Sequence, residues 1–256
     1  SELEELHKRP LMNANHAIFS VGYAVSAVAS GFAREAQIAP AMAFSYVALT
    51  IFLLSAFLYM PVRDSTKDVA SVLGYPFWPI VLCGLIVLVA FMTEATVETW
   101  SALHIERTLG GRAAEGAMGP AMLGITMAVG RFSGQAVSQM FSDTKVIILA
   151  TLVAATGAVF AALAPTPFWA YVGFGILGIG VSVIGPLGLA LVGKSVPNHL
   201  RTEAISRVAV IGFSGFFLAP TLMGMVSEFH GLRVAFLCAS ALSLMVIPLI
   251  LLLRRL

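Results

Sequence analysis

The stretch PFWPIVLCGLIVLVAFMTEATVETWSALHIE, residues 76–106, decides how the rest of the chain is read. From Pro76 to Met92 it carries no charge; Glu94 and Glu98 then enter the same helix-length run, followed by Trp100. A helix needs about 20 predominantly apolar residues to cross the hydrocarbon core of a bilayer. A carboxylate at that depth costs roughly 3 kcal/mol or more, so it is kept facing a bundle interior or a water-filled cavity. The stretch therefore reads as the wall of such a cavity.

The whole chain agrees. Of its 256 residues 59% are hydrophobic and 11% charged, with a mean hydropathy of +0.93, whereas a soluble domain carries about 25% charged residues. This predicts an all-α integral membrane protein. Eight apolar stretches of spanning length lie near 11–33, 39–61, 76–103, 116–141, 146–164, 167–193, 204–227 and 232–253. The runs argue against a spanning barrel, whose strands would alternate in polarity over about ten residues each. A net charge of +2 without a basic patch gives no reason to expect nucleic acid. Cys83 and Cys238 lie in apolar runs without metal-ligand spacing and read as two buried thiols. No metal, cofactor or catalytic motif is expected. The opening SELEELHKRP lacks the pattern of a signal peptide and reads as the inside of a longer chain.

Charge placement gives topology. With the loops taken alternately, Arg34, Arg107, Arg112 and Arg233 fall on one side and the other eleven Lys and Arg residues on the opposite side. That bias predicts both termini in the cytoplasm. Only RDSTKDVASVLGY, residues 63–75, resembles a linker between bundles, which divides the chain into 1–62 with two spans and 76–256 with six. Two helices alone bury little of any cavity, so four more spans are expected upstream.

Several short stretches resemble the major facilitator superfamily from its fifth helix onward, and in particular the bacterial fucose permease-like branch. EATVETWSAL resembles the seventh-helix signature, an acidic residue followed six positions later by Trp-Ser, here Glu94, Trp100 and Ser101. RPLMNANHAIFSVG, with His16, Ser20 and Gly22, is similar to that branch's fifth helix. Gly130 with Arg131 in the eighth helix, IGFSGFFLAPTLMG in the eleventh and HGLRVAF at the entry to the twelfth extend the resemblance over nearly the whole chain. It implies a complete six-helix C-terminal half, two helices of the N-terminal half, and residence in the bacterial inner membrane. One departure is plain: where the family often carries a Gly-x-x-x-Asp-Arg latch, this chain has Gly134, Ser138 and Gln139, followed by Asp143 and Lys145.

Weighed singly, Glu94 lies about 18 residues into its helix, roughly 27 Å along it, towards the outer part of the span. It reads as a substrate-binding or proton-titrating carboxylate, or else as a structural one satisfied by Thr93 or a neighbouring helix. Glu98 shares its face one turn on; it is counted with the path, although a solvated helix end is the simpler reading. Trp100 suits either stacking on a sugar ring or anchoring at the headgroups. Arg131 is expected to work in conformational change with Asp143 and Lys145, a plain interfacial arginine being the alternative. Glu203 and Arg207 form a structural i, i+4 pair, and His16 reads as interfacial packing. By resemblance, the glycine-rich span 167–193 corresponds to the tenth helix and places Gly178, Ser182 and Pro186 near the path.

The function expected is secondary transport of a small polar solute, with a sugar and proton coupling as the narrower expectation. Efflux of amphipathic compounds and a non-transporting fragment are the alternatives, and the absence of HExxH, GxSxG and P-loop patterns argues against an enzyme. The partners expected are the bilayer, the solute, and either the missing helices one to four or a second copy.

Overall fold

The computed structural model describes residues 11–55 and 76–255, with the side chains of 11–17, 134–139 and Asn198 left aside; the expected linker 63–75 and the side chains of His16, Ser138 and Gln139 lie outside that description. Every regular element among the described residues is helical. In order these are α1 Leu11–Glu35, α2 Pro40–Ser55, α3 Phe77–Leu103, α4 Ala113–Met140, α5 Asp143–Leu163, α6 Pro167–Ser195, α7 Arg201–Phe213, α8 Gly215–Leu244 and α9 Val246–Leu253.

The central element is α3. Its apolar residues run all round the helix, and Pro76 and Pro79 stand at its start, where backbone N–H groups have no helical partner. It packs against α4, α6, α7, α8 and α9. A π-helical turn, His104–Thr108, prolongs it, giving an unbroken run of 32 residues from Phe77 to Thr108. Glu94 consequently lies near the middle of the helix, not in its outer part, because the chain stays helical beyond the polar residues that the hydropathy pattern takes as an end.

Four runs are long and apolar enough to cross a membrane on length and composition: 77–108, 143–163, 167–195 and 201–253. The last, at 53 residues, would extend roughly 80 Å if straight, far more than a bilayer core of about 30 Å. It turns back at Gly231, where φ 80° and ψ 165° interrupt the helix. Leu253 accordingly returns to the cluster of Ile80, Val192 and Leu200, whereas Arg233 reaches the far end of α5.

Small residues set the helix spacing. Along the α5–α6 seam Gly173 lies against the backbone of Ala161, and Gly157 against that of Gly173 and Leu177. Such contacts substitute for hydrophobic burial, which gives helices in lipid little reason to associate. On α2 no residue is buried.

Candidate functional site

The helix α1 precedes residues 63–75, the stretch expected as a linker, and packs closely on α4. Gly31 allows Ala117 and the backbone of Ala114 to approach, and a Cβ on Gly124 would stand 3.0 Å from Ala24 Cβ, Ser20 O and Tyr23 Cδ1. This seam fixes the register of the two helices and carries Ser20 to Arg131.

Three helices meet at Arg131. Its Nη1 donates to Ser20 Oγ at 2.5 Å, and its Nη2 lies 3.6 Å from Glu94 Oε1 with both side chains about nine-tenths buried (11% and 8% exposed). The guanidinium is thus shared between α1 and α3 from its root on α4. A charge so placed requires a charged or hydrogen-bonding partner, since removal from water is costly. Glu98 is half-buried one turn further along α3, and Tyr23 of α1 lies within electrostatic reach of both carboxylates.

Towards its end α1 is tied again to the π turn after α3 and to α4. Arg34 donates two hydrogen bonds to Glu106, at 2.6 and 3.0 Å, and Arg112 bridges Glu35 at 3.3 Å and Glu115 at 3.6 Å. Between this ion-pair cluster and Tyr23 lies a cavity of about 280 Å³, whose walls include Ser26, Ser30, Ala102 and Pro120. A larger apolar furrow of about 720 Å³ between α5 and α8 is lined by Leu152, Val159, Phe160 and Trp169. It holds no charged group, and most of its lining side chains are exposed.

The other expected site residues separate. Gly178 lies against Thr126 and Ser182 against Gly130, so both serve the α4–α6 crossing. Ser182 is buried and donates to its own helix at Ile179 O, 2.6 Å, and Pro186 is exposed on a helix that continues through it. Trp100 is half-buried within the bundle, its ring beside Gly224 of α8, and its Nε1 has no hydrogen-bond partner among the described residues. Arg131 does not meet Asp143: that carboxylate pairs with Lys194 at 2.6 Å, and Lys145 is in none of the ion pairs among the described residues. The expected Arg131–Asp143–Lys145 network is therefore replaced by Arg131–Glu94–Ser20. Asp143 opens α5 about three turns of α4 away from Arg131, and a lysine at the end of α6 stands nearer. The Glu203–Arg207 pair forms at 2.6 Å. Cys83 is buried but Cys238 is exposed, because it falls on the outward face of α8.

His104 is the residue that the sequence reading missed. Wholly buried where α3 passes into its π turn, it meets Ala161 O through Nε2 at 3.1 Å, while Arg233 donates to Ala162 O at 2.8 Å. The two side chains reach carbonyls of the last turn of α5, where Ala162 O has lost its helical partner and Ala161 O also accepts from Ala164 N–H at 3.3 Å. A histidine six residues beyond Glu98, on a run still rich in apolar residues, was the available signal.

Over residues 82–256, more than half its length, the chain matches the Major Facilitator Superfamily, and it belongs to that family. It is a multi-pass membrane protein of a family of transporters. An uncharacterized MFS-type transporter of Yersinia pestis is 26% identical over 95% of this chain and 64% of the relative. An uncharacterized transporter of Sinorhizobium fredii, y4wD, is 26% identical over 92% of this chain and 63% of its own. Membrane protein MosC of Rhizobium meliloti is 25% identical over 65% of this chain and 41% of its own. The chain thus spans less than two thirds of the length of each of these relatives.

Proposed function

We propose that the chain forms helices five to twelve of a secondary active transporter of the bacterial inner membrane. In this reading it moves a small polar solute by alternating access, with residues 76–256 as one six-helix half and residues 1–62 as part of the other. The share of the relatives that it spans supports that division, and helices one to four or a second copy would complete the path. The observation that carries the reading is the buried Arg131, held at once by Ser20 of α1 and Glu94 of α3. A charged junction between helices of two halves, near the middle of α3, is where a transporter binds its solute and couples binding to rocking.

The hydroxyls of Ser26 and Ser30 in the adjoining cavity favour a hydroxyl-bearing solute such as a sugar, and Glu94 is the proton-carrying group in that narrower reading. A second reading, efflux of amphipathic compounds, draws on the cluster of Phe91, Phe213 and Phe216, with ring centroids 5.0 to 6.1 Å apart. Uptake of labelled hexoses and deoxy-sugars into vesicles under an imposed proton gradient separates the two. Gradient-driven uptake lost in Glu94→Gln supports the first; extrusion of hydrophobic dyes with no uptake of any sugar supports the second.

A further inference from the structure

The apolar furrow between α5 and α8 ends at an arginine that has no carboxylate partner, and we propose that it seats one anionic phospholipid, with the phosphate at Arg233 and an acyl chain along Phe160 and Leu152. The inference needs only that the chain spans a membrane and is independent of the solute transported.

The furrow encloses about 720 Å³ between α5, the start of α6 and α8. The two hydroxyls in its walls are committed within the protein: Thr156 donates to Leu152 O at 2.8 Å and Ser240 to Ala155 O at 2.9 Å. The rest of the lining is apolar and mostly exposed, with Val159, Phe160, Leu163 and Leu244 offering no hydrogen bond to a polar solute. From Leu152 to Leu163 the furrow follows α5 for roughly 16 Å, close to the depth of one leaflet's hydrocarbon, about 15 Å. Its volume over that length corresponds to a mean section of roughly 45 Å², about half that of a helix about 10–12 Å across. Such a furrow suits an extended chain and is too narrow for a helix of a second copy.

One end of the furrow is charged. Arg233 stands on the same face of α8 as Ser240 and Leu244, and its Nη1 donates to Ala162 O at 2.8 Å, beside the wall formed by Leu163, Ala164 and Pro165. It is half-buried, and it forms no ion pair with any described residue. Glu35, Glu106 and Glu115, at the same end of the bundle, are taken by Arg112 and Arg34, and Glu228 is exposed on the other side of the break at Gly231. A guanidinium carries five N–H donors in a fork that matches phosphate, and one is used here. The ring of Trp169 closes the same end, edge to face with Phe160 at 5.7 Å and partly exposed, as tryptophans are at the headgroup level. A lipid with a net negative charge supplies the counter-charge that Arg233 lacks, whereas a zwitterionic lipid brings an ammonium of its own.

The test is photolabelling of the purified full-length protein in nanodiscs by a phosphatidylglycerol that carries a diazirine midway along one acyl chain, mapped by peptide mass spectrometry. Phosphatidylcholine and diacylglycerol with the same chain are the comparison probes. The expected result is label concentrated on residues 152–163 and 240–244 over the exposed helix α2, competed by unlabelled phosphatidylglycerol and about five-fold weaker with either comparison lipid. Arg233→Lys retains that preference, and Arg233→Gln, which keeps a donor for Ala162 O, loses it. Val159→Trp narrows the furrow without touching Arg233 and lowers the label there from all three probes, at an unchanged melting temperature. Label spread evenly over α2 and the furrow, equal labelling by the three lipids, or a preference that survives Arg233→Gln overturns the proposal. A furrow that no lipid labels, together with crosslinking of Val159→Cys between copies, assigns the face to a second copy and overturns it as well.

Discussion

Two glycines of α6, two residues apart, should respond in opposite ways to the same substitution. An ideal Cβ on Gly173 would lie 2.7 Å from Ala161 Cα and 2.8 Å from Ala161 Cβ, whereas carbon atoms pack best at about 3.5–4.0 Å. The obstacle is backbone, which no rotamer change can move aside, so α5 and α6 would have to part by most of an ångström, and Gly157 and Gly180 on the same seam would lose contact with them. On Gly175 the new Cβ would meet only Thr126 Cγ2 at 3.4 Å and Met122 Cε at 3.6 Å, ordinary contacts with side chains. Alanine gains about 1 kcal/mol of helix propensity over glycine at both positions, and that gain cancels in the comparison. The difference left is the overpacking term, about 1–3 kcal/mol against Gly173→Ala. At roughly 2–4 °C per kcal/mol for a chain of this size, the variants should melt about 2–12 °C apart. Thermal unfolding of both proteins in one detergent, followed by tryptophan fluorescence, measures this. A Gly173→Ala melting temperature equal to or above that of Gly175→Ala would refute the reasoning.

Gly231 holds φ 80° and ψ 165° with nothing near its Cβ position; Gly231→Ala should lose about 1–3 kcal/mol through backbone strain alone, seen as a lowered melting temperature. His104→Leu removes one of the two donors to Ala161 O, Ala164 N–H remaining, and should cost about 0.5–1.5 kcal/mol in the same assay, with Arg233 still capping Ala162. Arg34→Ala removes an ion pair whose arginine is half-exposed. It should therefore change stability by no more than about 1 kcal/mol, and cysteines placed at the end of α1 and in the π turn that follows α3 should crosslink less readily in that variant.

The helices were legible because each spanning run is long, apolar and punctuated by proline, glycine or charge; α3 and α6 lie within a few residues of their expected bounds. Glu94 was legible because a carboxylate within such a run has few explanations. Its partner was not. Periodicity tells which residues share a face of one helix, and therefore joins Glu94 to Glu98, but it is silent on which helix lies opposite. Arg131 was consequently assigned to Asp143, close in sequence, when the close approach of α1 at Gly124 brings Ser20 to it instead. Cys238 shows the same limit: an apolar surrounding in the sequence does not separate a side chain facing lipid from one facing the core. Gly178 and Ser182 carried a packing signal that reads like a path signal, because small residues serve both.

The proposed role of the Arg131–Glu94–Ser20 junction as the working centre of transport is tested most directly by a charge exchange there. Counterflow of the solute identified by the vesicle assay should be compared for the native protein, Glu94→Arg, Arg131→Glu and the double variant carrying both, each checked for folding by its melting temperature. Each single change leaves two like charges facing one another at membrane depth and should abolish counterflow, with the double variant recovering a measurable part of it. Single variants that fold and exchange solute at the native rate would contradict the central claim.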